Sequence, residues 1–212
     1  MSAAVVAGLL AGYGIAVPVG AVAAYLVALT ARTGLRVGAG AALGVATADG
    51  LYALLAVLGG TGLAGLIAPY STPLRWVSAV VLVALAVRGA TSAVRQYRAH
   101  GAGGPPPRTT DPTHPGRAFT TLLGITLLNP MTVVYFAALV LGGQDSVTPD
   151  TSSRAVFVAA AFAASASWQL LIAGGGALLG RALTGPRARL ATALAASALI
   201  TFLAARLLAT GS

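Results

Sequence analysis

The chain has 212 residues, 57% of them hydrophobic and 8% charged, with a mean hydropathy of +0.87. A soluble domain of this size could not carry that composition without exposing large apolar patches, so the sequence reads as an integral membrane protein. The net charge of +9 comes from 13 arginines against 4 aspartates, and these arginines punctuate the apolar runs instead of forming a patch with stacking aromatics, which argues against nucleic acid as a partner. There is no cysteine, lysine or glutamate, which removes disulfides, thiolate metal sites, thiol nucleophiles, Schiff-base centres and glutamate-centred proton or metal sites.

A span needs about 20 apolar residues at about 1.5 Å rise each. The hydropathy pattern predicts six: Ala3–Leu29, Val37–Leu66, Leu74–Val94, Ala118–Leu141, Arg154–Leu179 and Ala188–Leu208. The first run has no positive n-region and continues past the about 7–15 apolar residues of a signal peptide, so it is expected to be a mature span. Residues 98–117 contain Gly103-Gly104-Pro105-Pro106-Pro107 and read as a disordered cytoplasmic linker between a first three-helix half, 1–97, and a second, 118–212.

Arginines set the expected orientation. Arg32, Arg36, Arg88, Arg95, Arg98, Arg108, Arg117, Arg181, Arg187 and Arg189 lie in or near the first, third and fifth connections, whereas the other side holds Arg75, Arg154 and Arg206. By the positive-inside rule the odd connections face the cytoplasm and both termini face outside. Tyr70 and Trp76 flank the second connection as interfacial aromatics.

The two halves resemble each other. Gly14-Ile15, Pro18, Tyr25 and Ala28-Leu29 in the first span correspond to Gly124-Ile125, Pro130, Tyr135 and Ala138-Leu139 in the fourth. Three spans per half is an odd number, so the second half must run opposite to the first. The predicted fold is therefore an all-α membrane protein of six transmembrane helices built as two inverted three-helix repeats, with a ligand site near the midplane where broken helices meet. The breaks are expected at Pro18-Val19-Gly20 and at Asn129-Pro130, because an interior proline removes a backbone hydrogen bond and clashes with the preceding turn; the competing reading is two simple packing kinks.

Asp49 is the one acidic residue inside a long apolar segment. A carboxylate there costs about 2.5–3.5 kcal/mol on insertion scales, so it needs a partner, a proton or a water-filled cavity. It is either an interhelical hydrogen-bonding group that fixes packing or part of a site. Pro18, Asp49, Asn129 and Trp168-Gln169 all fall roughly 10–15 residues into their spans, near the middle of a ~30 Å core. A half-helix N-terminus offers N–H groups to an anion, while unwound carbonyls and a carboxylate suit a cation, and the combination suits a zwitterion. Asn129 and Gln169 can both donate and accept, and Tyr52 lies one turn from Asp49 on its face. Trp168 and Gln169 read equally well as core filler and interhelical donor. The pairs Gly34-x3-Gly38, Gly40-x3-Gly44 and Gly176-x3-Gly180 have the spacing for close helix approach, and with no preceding strand none implies a phosphate cradle.

The run Pro18-Val19-Gly20, the stretch Gly40–Asp49–Tyr52 and the element Leu127-Leu128-Asn129-Pro130, in that order and with the Arg-rich first loop, resemble the LysE/RhtB family of bacterial amino-acid exporters. The resemblance covers nearly the whole chain. It implies a multi-pass protein of the bacterial inner (plasma) membrane that exports an amino acid or similar small metabolite, without a bound cofactor, driven by a proton or sodium gradient. The substrate-binding or coupling residues would then be Asp49, Pro18, Gly20, Tyr52, Asn129, Pro130, Trp168 and Gln169. Ala21 stands where members often have a second proline and Met131 where many have lysine, so the substrate of better-known members does not transfer. The alternative is an inorganic-cation exporter of the manganese or cadmium type, although hard divalent ions want six to eight oxygen ligands and the spans supply one carboxylate. An intramembrane enzyme would need a nucleophile–base pair or metal cluster, and the spans hold no histidine, cysteine or second acid. Lipid and a small-molecule substrate are the expected partners, and monomer and homodimer remain open.

Overall fold

A computed structural model describes residues 2–17, 20–67, 71–101, 112–129, 151–182 and 185–209. These residues form seven helices and no strand: α1 (Ser2–Ala16), α2 (Ala21–Thr33), α3 (Leu35–Ile67), α4 (Ser71–Gly101), α5 (Pro115–Leu127), α6 (Thr151–Ala182) and α7 (Pro186–Ala209). Four are long and apolar enough to cross a membrane, or five if α1 and α2 form one bent span. The chain is an all-helical, multi-pass membrane protein. Such helices are apolar on most faces because lipid, not water, surrounds them, and Val6, Leu10, Leu58, Val80, Leu171, Leu178 and Phe202 accordingly stay exposed.

The first expected span, Ala3–Leu29, falls on two helices. α1 stops at Ala16, α2 starts at Ala21, and their axes are bent by 76°; Pro18 itself lies outside the described residues. α2 ends at Thr33 and is capped by Gly34, whose N–H donates to the Thr30 carbonyl at 2.8 Å and whose φ of 89° turns the chain directly into α3. An L side chain adopts that φ only with strain. Helix α4 continues through Gly101, beyond the Val94 expected for its span, because leaving hydrocarbon does not itself end a helix when the backbone bonds are internal. α5 begins at Pro115 in the first turn, with His114 as N-cap accepting from the Gly116 N–H at 3.2 Å. Of the fourth expected span, residues 130–141 lie outside the described residues, as do residues 102–111 of the expected linker; residues 98–101 belong to α4 and 115–117 to α5.

Helix α6 is the hub, packed on α3, α1 and α2; α3 also packs on α5, and α4 on α7. Small residues make this possible. A Cβ on Gly8 or Gly12 of α1 would strike the Phe157 or Ala161 carbonyl of α6; one on Gly176 or Gly180 of α6 would strike Val27 or Ala31 of α2. Gly40 and Gly44 of α3 meet the Pro115 and Phe119 carbonyls of α5 in the same way. Backbone-to-backbone contact of this kind replaces the hydrophobic driving force that is missing between helices in lipid. The pair Gly34-x3-Gly38 differs: Gly38 packs on Thr30, but a Cβ on Gly34 would meet open space, and its glycine serves the turn.

Two glycine substitutions should separate contact from propensity. Gly12→Ala should destabilise by about 1–3 kcal/mol through overpacking. Gly174→Ala, where a Cβ meets nothing within 4 Å, should be neutral or stabilising by up to about 1 kcal/mol. Thermal unfolding of the purified protein in detergent reads both.

Candidate functional site

Asp49 sits on α3 in a run of small side chains, Ala41, Ala42, Ala46, Ala48 and Ala53, all fully enclosed, and is itself 3% exposed. That run brings α3 close enough to α6 for two of the shortest polar side chains to touch. The Ser165 hydroxyl donates to Asp49 Oδ2 at 2.6 Å, and Ser165 is wholly buried. The length is that of a charge-assisted bond. A carboxylate offers about four lone-pair sites, so one hydroxyl leaves it able to take a proton or a cation. Asp49 is the only carboxylate among the described residues.

Tyr52, one turn further along α3 and also buried, donates its hydroxyl to the Leu127 carbonyl at 2.6 Å. That carbonyl is in the last turn of α5. Residue 130 is proline and has no N–H to continue the helix; the Asn129 N–H takes the Thr126 carbonyl at 3.0 Å instead, and Tyr52 satisfies the next one. A side chain of α3 thus caps the C-terminal end of α5. Ile15, in the last turn of α1, packs in the same apolar cluster as Tyr52, Phe157, Ala161 and Leu127, which places the end of α1 beside this point. Tyr13 reaches α6 as well, its hydroxyl 2.9 Å from Ser167 Oγ.

On α6, Gln169 follows Ser165 by one turn on the same buried face and is 5% exposed. Its Oε1 is buried without a hydrogen-bond partner, as are Trp168 Nε1 and Thr126 Oγ1. Leaving such a group unpaired costs about 1–3 kcal/mol, so the Gln169 acceptor, one turn from the serine that holds Asp49, stands ready for a ligand or water.

Of the residues singled out from sequence, the fold gathers Asp49, Tyr52 and Gln169 on the α3–α6 seam, with half-buried Asn129 at the end of α5. Gly20 is the N-cap of α2, exposed and extended, and contributes no side-chain cap to the N–H groups that follow. Pro18 and Pro130 lie outside the described residues. Ser165 is the residue that sequence reasoning missed. Its signal was the i, i+4 spacing to Gln169, which puts both on one face.

Ser165→Ala should destabilise the protein by about 1–3 kcal/mol, and the loss should shrink when Asp49 is already Asn, with a coupling of about 0.5–3 kcal/mol in the double-mutant cycle. Tyr52→Phe should cost a similar about 1–3 kcal/mol by orphaning the Leu127 carbonyl. Thermal unfolding of the four variants measures both.

Comparison with known proteins adds identity to this geometry. No curated protein and no solved structure matches the chain. The model of the LysE type translocator family matches residues 14–211, which include the bend between α1 and α2, the Asp49–Ser165 pair and the C-terminal end of α5. With nearly its whole length matched, the chain belongs to the LysE type translocator family.

Proposed function

We propose that the protein is a secondary active transporter that exports an amino acid or a similar small zwitterion, with proton or sodium entry as the driving reaction. The observation that carries this reading is Asp49, a buried carboxylate in a membrane helix, held by one serine hydroxyl and flanked by the unpaired Gln169 Oε1. A carboxylate so placed is stabilised by a cation or a proton in turn. The substrate ammonium would pair with Asp49 and Gln169 Oε1, and the C-terminal end of α5 adds partial negative charge on the same side. The substrate carboxylate would take the N–H groups at the start of α2, which no side chain caps.

In this reading the chain is six spans arranged as two inverted three-helix repeats, with Pro18-Val19-Gly20 and Asn129-Pro130 as matching breaks. Alternating access would rock one half against the other around the fixed site. The bend at 17–20 and the termination of α5 at Leu127 support it. One positive charge entering is worth about 2.3 kcal/mol per 100 mV, enough for one coupling ion to hold a gradient of several tens-fold in a neutral zwitterion. The single acid suits a stoichiometry near one. Direction comes from the family, since alternating access is reversible.

Counterflow in proteoliposomes with a panel of labelled amino acids tests the substrate class, with Mn2+ and Cd2+ as the competing arm. Amino-acid exchange is expected; exchange of the metal ions alone would overturn the reading. Asp49→Asn keeps size and hydrogen bonding but removes the titratable charge, and should abolish exchange while the protein remains folded in the membrane. Transport at the wild-type rate would make the carboxylate purely structural.

Both termini should face outside. A reporter that fluoresces only in the cytoplasm, fused after Ser212, should stay dark; a bright signal would reverse the orientation.

A further inference from the structure

A cavity lies well away from Asp49, between the ends of α2, α4, α6 and α7. Its volume is about 320 Å³. On α6 its wall includes Gly180, against residue 165 for the serine that holds Asp49; at 1.5 Å per residue that is about 22 Å along the axis. The two are separate places.

Charge and lining are one-sided. Arg32 and Arg189 both line the cavity, together with Gln96, Tyr97 and Thr192, and no carboxylate of the described residues does. Arg32 lies in the last turn of α2, and helical side chains lean toward the N-terminus of their own helix, so the guanidinium points back into the bundle. It reaches across to α4 and α7: a Cβ on Gly89 would stand 3.1 Å from its Nη1 and 3.6 Å from Ser197 Oγ. Arg189 is exposed in the first turn of α7, a helix end that carries no acidic residue. Two guanidiniums, one deep and one at the mouth, present planar forks suited to phosphate oxygens. Thr192 gives its hydroxyl hydrogen to the Ala188 carbonyl at 2.8 Å and so adds no donor. The remaining walls are alanine, leucine, glycine and proline, and Leu179 of the lining and its neighbour Leu178 are both exposed. A free hydrated anion has no use for such walls. An anion with an attached glycerol and acyl chain does.

We propose that this cavity is a binding site for the phosphodiester headgroup of an anionic phospholipid, with Arg32 at its inner end and Arg189 at its mouth. Basic pockets between transmembrane helices are the places where such headgroups are held. The lipid would tie α2 to the α4–α7 pair through charge, in addition to the apolar cluster that Leu26, Leu29, Leu82 and Ile200 form. The site is independent of the transport reading and of the substrate.

The test uses the full chain purified in detergent, with lipid retention followed by native mass spectrometry and thermal stability. Phosphatidylglycerol should be retained and should raise the unfolding temperature; phosphatidylcholine with the same acyl chains should do neither. Arg32→Gln is the obvious variant, but that guanidinium packs between helices, so two others carry the test. Arg189→Gln removes an exposed charge, and Ala93→Phe fills the cavity without changing charge. Each should weaken phosphatidylglycerol retention about tenfold, as expected for loss of a charge-assisted contact or of the space itself. The double variant Arg181→Gln, Arg187→Gln removes charge from the same end outside the cavity and should change retention less than about twofold. An equal loss in that control, or equal retention of the two lipids, would reduce the effect to diffuse attraction and overturn the site. Inorganic phosphate that displaces the lipid and stabilises the protein as well would make it a small-anion site and overturn the lipid assignment.

Discussion

The buried carboxylate of this molecule depends on how closely α6 approaches its neighbours. Aspartate and serine are short, and a 2.6 Å bond between Asp49 and Ser165 forms only when two helix backbones are nearly in contact. Glycine and alanine supply that approach on three sides of α6: Gly8 and Gly12 from α1, Gly176 and Gly180 toward α2, and the alanines around Asp49 on α3. In lipid, where burial of apolar surface does not by itself drive helices together, this fit and the hydrogen bonds it permits are the cohesive terms. A leucine in place of any of these glycines would push the helices apart and leave the carboxylate without its donor.

The second consequence concerns broken helices. Away from water, each freed carbonyl and N–H needs a partner. α5 ends inside the bundle, and its last carbonyls are taken by the Asn129 N–H and by the Tyr52 hydroxyl. The cap comes from a helix 75 residues away in sequence, so the end of α5 is fixed by tertiary contact and not by a local motif. Tyr52 and Asp49 are one turn apart on α3, which couples the geometry of this broken end to the position of the buried carboxylate. A shift of α3 would therefore be felt at both.

Charge is distributed as unequally as bulk. The single carboxylate of the described residues is enclosed at the α3–α6 seam, while Arg32 and Arg189 gather around a cavity at the ends of α2, α4, α6 and α7. The two regions carry opposite charge at different levels along α6.

The sequence by itself determined the membrane class, the helices and most of their extents, because hydropathy over about 20 residues is a local property that lipid reads directly. It also singled out Asp49, since an acid in such a run is costly wherever the helix packs. Spacing placed Gly40, Gly44, Gly176 and Gly180 in helix contacts. It could not separate Gly34, which serves a turn with φ of 89°, from Gly38, which serves packing, because identical spacing has both uses. Nor could it find Ser165, one of many small polar residues in apolar runs, or show that the Tyr52 hydroxyl serves the end of α5. Those assignments depend on which helix lies opposite and at what rotation. Only the tertiary structure decided them, because a hydrogen bond is set to within tenths of an ångström by two backbones that the sequence separates by 75 residues for Tyr52 and Leu127 and by 116 for Asp49 and Ser165.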